Sequence, residues 1–427
     1  MSHDLVAPDY VKVFKCMADK CEDTCCQAWD VRYEKSSYET LINKAVDDQQ
    51  RNFLKSYIKL YSKDDHSSFH AYIKMKDDAF CPFLTEELFC QLQKTYGAEV
   101  LSNVCALYPR VINQLGSKYE VNGTLSCPEM VRACISAESP ETYFTNTDET
   151  VLPQQSRLSV QRKLDIDSVD KDSYLKNFFT VREAMQTIVS RSNDNLLMQL
   201  YTLALYTSQI SDFYFSGCGA VRKSELTRIM NTVIKGHDRS EKYLDTIESD
   251  NEFSENFIIS LLQTNIKNTS NENYKKLITT ALNQHNKLCE THETNSVFSL
   301  QDNTQAVLRD KIDKVATSYL LNCIYREWYN TLPNTFVYIF MIVVRLAMIR
   351  FVAQILLRVY VDENKIEVDS EKNLDNKEFD KKMVEIIYLH ARAVDHNMPY
   401  LQVVYHALAE QDMFNMDFIL PLIKCRT

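Results

Sequence analysis

Nine of the thirteen cysteines lie within the first 134 residues of this 427-residue chain. They are Cys16, Cys21, Cys25 and Cys26 in KCMADKCEDTCCQAW, Cys81 and Cys90 in CPFLTEELFC, then Cys105, Cys127 and Cys134. Such a local concentration constrains the fold more than any other feature, because it points to a metal centre built by one subdomain. Thiolates bound to zinc or iron sit about 2.3 Å from the metal, so the ligands must converge from loops. If the first run were helical, Cys21 and Cys25 would share a face and Cys26 would point about 100° away. Pro82, Pro109 and Pro128 follow close behind a thiol, and proline stiffens a ligand loop by fixing φ.

The opening MSHDLVAPDY has neither a basic n-region nor an apolar h-region, so no secretory leader is expected. In a chain kept in the cytoplasm, an odd number of cysteines reads as thiols and metal ligands rather than as a disulfide framework. A four-thiolate iron–sulfur cluster of the [4Fe–4S] type and a structural zinc ion would use the same ligands, and spacing does not separate them. The C-x3-C-x2-C triad of radical enzymes is not present, and no G-x-G-x-x-G loop follows a strand.

Only six glycines and nine prolines occur, which argues for long helices and few tight hairpins. The net charge of −10 speaks against general nucleic-acid binding. The strongly apolar stretch 336–357 is interrupted by Arg345 and Arg350. Its longest unbroken run, Phe336 to Val344, is far shorter than the roughly 20 residues of a membrane span. The expectation is therefore a buried core helix with one charged edge, and no membrane span.

Along the chain, 36–75 reads as an amphipathic helical pair, with a short hairpin leading into Cys81. Residues 136–160 read as a polar linker. Helical runs are expected from about 173 onward, the second of them capped by Asn193 or Asp194. Further runs fall near 221–234, 253–266, 273–289, 305–330, 335–360, 378–394 and 399–412. GCGA at 217–220 reads as a helix C-cap, and 290–304 and 361–378 as loops. The fold class is thus mainly α: a cysteine-rich N-terminal metal-cluster subdomain (1–135) packed on a larger all-α helical body (161–427). His390, His396 and His406 do not share one helical face and are not expected to bind metal.

FKCMADKCEDTCCQAWDV, CPFL, LFCQLQKTYGAEVLSNVCALYPR and LSCPEMVRACI, in this order, resemble the flagellin lysine N-methylase family over residues 10–135. The resemblance implies S-adenosylmethionine-dependent methylation of lysine side chains in flagellin, in the cytoplasm before export, with an iron–sulfur cluster on the N-terminal thiols. It makes Cys21, Cys25, Cys26, Cys81, Cys90, Cys105 and Cys127 the ligand pool. Cys16 and Cys134 flank motifs rather than centring them.

Lysine must lose a proton before it attacks a methyl group, and its ordinary pKa is about 10.4. Acceptors beside the thiols are Tyr108, Glu129, Glu22 and Asp23, with Tyr108 and Glu129 as the candidate catalytic residues. Arg110 and Arg132 are candidates for the cofactor carboxylate, and Trp29 for stacking on its adenine. The same residues also suit ion pairs, ligand-loop support or core packing. Two non-methylating readings stand beside this one: a metal-binding module that recruits a helical partner, and an iron–sulfur redox protein.

Overall fold

The structure is a computed structural model of the chain and describes residues 5–27, 30–62, 69–137, 145–147, 152, 160–168, 174–191, 194–215, 222–247, 250–300, 302–366 and 376–424. Two compact units emerge, one made of 1–133 with 142–165 and the other of 134–141 with 166–427.

The first unit contains β1 (Leu5–Ala7), α1 (Asp9–Val13), β2 (Arg32–Tyr33), α2 (Lys35–Lys44), α3 (Asp48–Tyr57), β3 (Ile58–Leu60) and β4 (Ala71–Ile73). It continues with α4 (Gln91–Tyr96), α5 (Asn103–Leu107), β5 (Arg110–Leu115), β6 (Lys118–Gly123), α6 (Pro128–Ile135), β7 (Thr145–Thr147) and β8 (Val160–Leu164). The expected helical pair is present as α2 and α3, but the second helix stops at Tyr57; β3, in residues expected to be helical, pairs antiparallel with β4, the one strand that falls in the expected hairpin segment. Asp47 caps α3 by accepting from the Gln50 N–H at 2.8 Å.

The five-stranded mixed sheet, ordered β7-β1-β6-β5-β8, was not expected. Its central hairpin joins β5 to β6 through Gly116, whose φ of 58° is readily reached by glycine. Strand β7 falls within the stretch expected to be a linker, and most of that stretch lies outside the described residues.

The second unit is helical: α7 (Phe178–Val189), α8 (Leu196–Phe215), α9 (Lys223–Lys235), α10 (His237–Thr246), α11 (Asn251–Asn268) and α12 (Glu272–Thr291). Then come α13 (Asn303–Arg326), α14 (Thr335–Glu363), α15 (Asn376–His390), α16 (Met398–Glu410) and α17 (Met416–Lys424). Helix α15 runs into a π-turn at Ala391–Asp395. Asp250, Asn271, Asp302, Asn334 and Asn397 cap five of these helices, each side chain accepting from a first-turn N–H. For α8 the cap is Asn195, which accepts from Met198 N–H at 3.0 Å. Asp194 instead accepts from Arg191 Nε at 2.8 Å, and Asn193 and the GCGA segment lie outside the described residues.

Helix α14 is the axis of this unit and packs against α8, α12, α13, α15 and α17. Its most apolar 18-residue window is wholly buried inside the protein, as a core helix requires. Each of its arginines has acidic company: Arg345 with Glu327, Arg350 with Asp313, and Arg358 with Asp302 and Asp362. Pairing of this kind is what allows a guanidinium to remain inside a core.

Candidate functional site

The first cysteine run is a loop, as converging ligands require, and the helical face that Cys21 and Cys25 would have shared is not formed. Ala18–Lys20 makes one 3-10 turn, and Cys21 through Gln27 continue as an irregular loop. Two side chains shape that loop: Asp23 accepts from Thr24 N–H at 2.7 Å, and Thr24 Oγ1 from Cys26 N–H at 3.1 Å. Backbone pairing then brings in the second run, because Cys81 N–H donates to the Cys26 carbonyl at 2.8 Å and Gln27 bridges Phe80. A further bridge joins Leu84 to Cys90. Cys105 lies in α5, whose cap Ser102 accepts from Cys105 N–H at 3.4 Å. Cys127 immediately precedes α6, where the Met130 and Glu129 N–H groups favour its thiolate.

The fields of the thiols reveal how these segments meet. Cys25, Cys81, Cys90 and Cys105 all act on one another, every pair of the four being coupled. Cys25 also belongs to a second set with Cys21 and Cys127, and Cys16 acts on Cys21. Burial pushes Cys81 up to about 11 and Cys127 up to about 12. Cys105 keeps a solvent-exposed edge, yet the atoms crowded behind it push its thiol up to about 12. Burial raises Cys21 and Cys90 as well, and the described cysteines are all free of disulfides.

The thiols do not, however, stand as a finished ligand set. Among the described residues, no group of three or more His, Cys, Asp or Glu side chains is arranged to hold a metal ion. The expected common point of four sulfurs is therefore not formed, although the donor chemistry is that of a thiolate site. Cys26, Cys81 and Cys90 pack on the apolar core around Tyr33, Leu41 and Phe83. Cys134 stands apart, its thiol within 3.7 Å of the Ser318 carbonyl.

The neighbouring candidates are engaged in different ways. Tyr108 hydroxyl meets Ser126 Oγ at 3.2 Å, and Ser126 meets Thr124 at 3.2 Å, a hydroxyl chain whose middle member directly precedes Cys127. Arg132 donates to Glu129 at 2.9 Å and to Glu22, so these three form one ion network beside the thiols. The Arg110 guanidinium lies over the Phe14 ring at 4.9 Å, and its Nε is buried without a hydrogen-bond partner. Burial lowers its pKa, and the Cys16 and Cys127 thiols oppose that effect. Trp29 lies outside the described residues.

A second polar constellation, in the helical unit, was not singled out from sequence. Arg345 donates from Nη1 and Nη2 to Glu327 at 2.8 and 2.7 Å, and from Nη1 to Asp395 at 3.3 Å. Tyr319 hydroxyl donates to Asp395 at 2.9 Å, and Arg326 to Glu327 at 2.8 Å. His390, 2% exposed, places Nε2 3.8 Å from Asp395. Burial lowers the His390 pKa to about 4, with Asp395 opposing and Arg345 adding to the shift. Burial alone would raise Asp395, but Arg345 and His390 hold it down at about 2. The arginines inside an apolar run were the one sequence signal pointing here.

Comparison with known proteins places these features in a family. A family profile described as "FliB lysine N-methylase C-terminal domain" matches residues 182–422, more than half of the chain. Proteins named "Lysine-N-methylase" from Salmonella typhimurium and Salmonella choleraesuis are each 28% identical over 159 residues. That alignment covers 35% of this chain and 39% of theirs. A "Flagellar biosynthetic protein FliU" from Salmonella muenchen is 30% identical over 124 residues, 29% of this chain and 72% of that protein. No solved structure matches.

Proposed function

The chain belongs to the FliB lysine N-methylase family, and from that premise we propose that it methylates lysine side chains of flagellin, with S-adenosylmethionine as the methyl donor. The observation that supports the reading is the convergence of the cysteine segments in the first unit: Cys81 N–H donates to the Cys26 carbonyl at 2.8 Å, Leu84 bridges Cys90, and Cys26, Cys81, Cys90 and Val104, the neighbour of Cys105, pack on one apolar core. Four thiols from three separate segments, gathered in a chain of this family, match an iron–sulfur centre in donor type and number.

Those four are the residues proposed to hold the cluster, with Cys21, Cys26 and Cys127 as the remainder of the pool. A cluster bound there ties the segments around Cys25, Cys81, Cys90 and Cys105 into one rigid unit. A cluster bound there would require the Cys25, Cys81, Cys90 and Cys105 segments to draw together, since among the described residues no three such side chains are arranged around one point. Metal binding also displaces protons from thiols whose pKa values are raised, so assembly is favoured by higher pH.

Bound S-adenosylmethionine supplies an electrophilic methyl group. The lysine nitrogen attacks it, a C–N bond forms as the C–S bond breaks, and one proton leaves the amine. The chain must strip that proton, through a buried acceptor or through desolvation. Tyr108 and Glu129 are the proposed acceptors, the first at the end of a hydroxyl chain and the second held by Arg132. Arg110 faces the Cys16 and Cys127 thiols, where a cation offsets thiolate charge.

The test is transfer of labelled methyl groups from S-adenosylmethionine to purified flagellin. Label on flagellin that disappears when the donor is omitted supports the reading. Absence of label with a metal-loaded protein contradicts it.

A further inference from the structure

The hairpin β5–β6 carries an unusual face. Its register sets Asn113 opposite Glu120 and Val111 opposite Asn122, so the alternation of strands puts Asn113, Glu120 and Asn122 on one side. All three are closed off from solvent, at 0%, 1% and 0% exposure. The other side carries Ile112 and Val121, both fully buried, as an ordinary core does. Both carboxamide atoms of Asn113 and both of Asn122 lack any hydrogen-bond partner. A buried amide is almost always satisfied, so four such atoms on one face call for a ligand. On β8, Arg162 is in register with Asn113, adding a cation beside the row.

We propose that this face receives the α-amino and α-carboxylate groups of the methyl donor, an assignment that rests on the methyltransferase reading above. The two carboxamides carry the match. An α-ammonium needs acceptors, and the face offers the Asn113 and Asn122 carbonyl oxygens, with the charge of the already partnered Glu120 beside them. An α-carboxylate has two oxygens, and the two Asn NH₂ groups supply one donor each. A purely cationic ligand would leave the amide donors unsatisfied, and a purely anionic one would oppose Glu120. As diagonal neighbours on adjacent strands, Asn113 and Asn122 stand about 7 Å apart, a span suited to gripping a small zwitterion from two sides. Arg110 occupies the opposite side of the hairpin, so this assignment takes the donor's carboxylate away from Arg110 and Arg132. Asn122 lies on the strand that leads through Thr124 and Ser126 to Cys127, connecting the face to the thiol loops by a short, ordered path.

The experiment is calorimetric titration of the full chain with S-adenosylhomocysteine, with free methionine and adenosine as separate competitors. Wild-type protein is expected to bind, and methionine to compete. The double variant Asn113→Leu/Asn122→Leu is expected to bind about tenfold or more weakly, while its ligand-free thermal midpoint is unchanged or higher, since orphan amides are removed. Should that variant fail to fold, Asn122→Asp keeps the shape, repels the carboxylate and is expected to weaken S-adenosylhomocysteine but not adenosine. Wild-type affinity in these variants, or competition by adenosine without methionine, overturns the assignment. If flagellin labelling proceeds while the variants bind normally, only this site falls. If wild-type protein binds no S-adenosylhomocysteine, the methyl-donor reading falls with it.

Discussion

Arg345 grips Glu327 with two parallel N–H···O bonds of 2.8 and 2.7 Å from within the 29-residue apolar helix α14. The pair, joined by Asp395 and Tyr319, anchors the helical unit from its interior. Arg345→Leu leaves buried Asp395 without its arginine and Glu327 with Arg326 alone, and is expected to cost about 3 kcal/mol of stability. Arg345→Leu combined with Glu327→Leu recovers part of that loss. Denaturant unfolding of the three proteins checks the order.

Acid sensitivity follows from the same cluster. The His390 ring is held neutral, its pKa at about 4 against an ordinary 6.5. Below pH 6.5 the unfolded chain takes up a proton that the folded ring refuses, so stability falls as pH drops from about 6.5 toward 4. Asp395, at about 2, adds a loss over a lower window: its contribution is full above 3.8 and disappears as pH falls through about 2. His390→Leu is expected to flatten the upper limb of the stability–pH curve and leave the lower limb in place. Urea unfolding across pH 2–8 reads both limbs.

In the first unit, Gly123 is closely overlaid. A Cβ there would lie 2.5 Å from Met130 Sδ and 2.9 Å from the Tyr10 ring, and both residues are buried. Gly123→Ala therefore forces a shift in α6 or α1, with an expected cost of about 1–3 kcal/mol. Because α6 follows directly on Cys127, the same change is expected to lower metal retention, measured by metal analysis of the purified variant.

Among the thiols, Cys25 is the hub. Cys25→Ser is expected to abolish the visible absorption of an anaerobically reconstituted iron–sulfur cluster, while Cys134→Ser leaves it intact. Spectra and iron content of the two variants decide. Equal iron and equal colour in both would remove Cys25 from the centre.

Much of this was legible in the chain. Helices α7 to α9 and α11 to α16 announce themselves through apolar periodicity, and the glycine shortage correctly signalled a mainly helical protein. Two short helices, α10 and α17, were missed; α10 begins at once after Gly236 and α17 contains Pro421. The sheet escaped notice because β5 and β6 bury Asn113, Glu120 and Asn122, so the polar half of their alternation reads as a solvent face. A loop at the cysteine run 21–26 was legible from the need for ligands to converge, and the Thr24 and Asp23 side chains that shape it were not. Which thiols couple could not be read from spacing, since the contacts depend on the bridges at Cys26–Cys81 and Leu84–Cys90.

The account is tested most directly by mass analysis of lysine-containing peptides from flagellin after incubation with the cluster-loaded protein and S-adenosylmethionine. It predicts increments of whole methyl groups on lysine, absent without the donor and absent with the Cys25→Ser variant. Unmodified lysines in the presence of donor, flagellin and an intact cluster would contradict it.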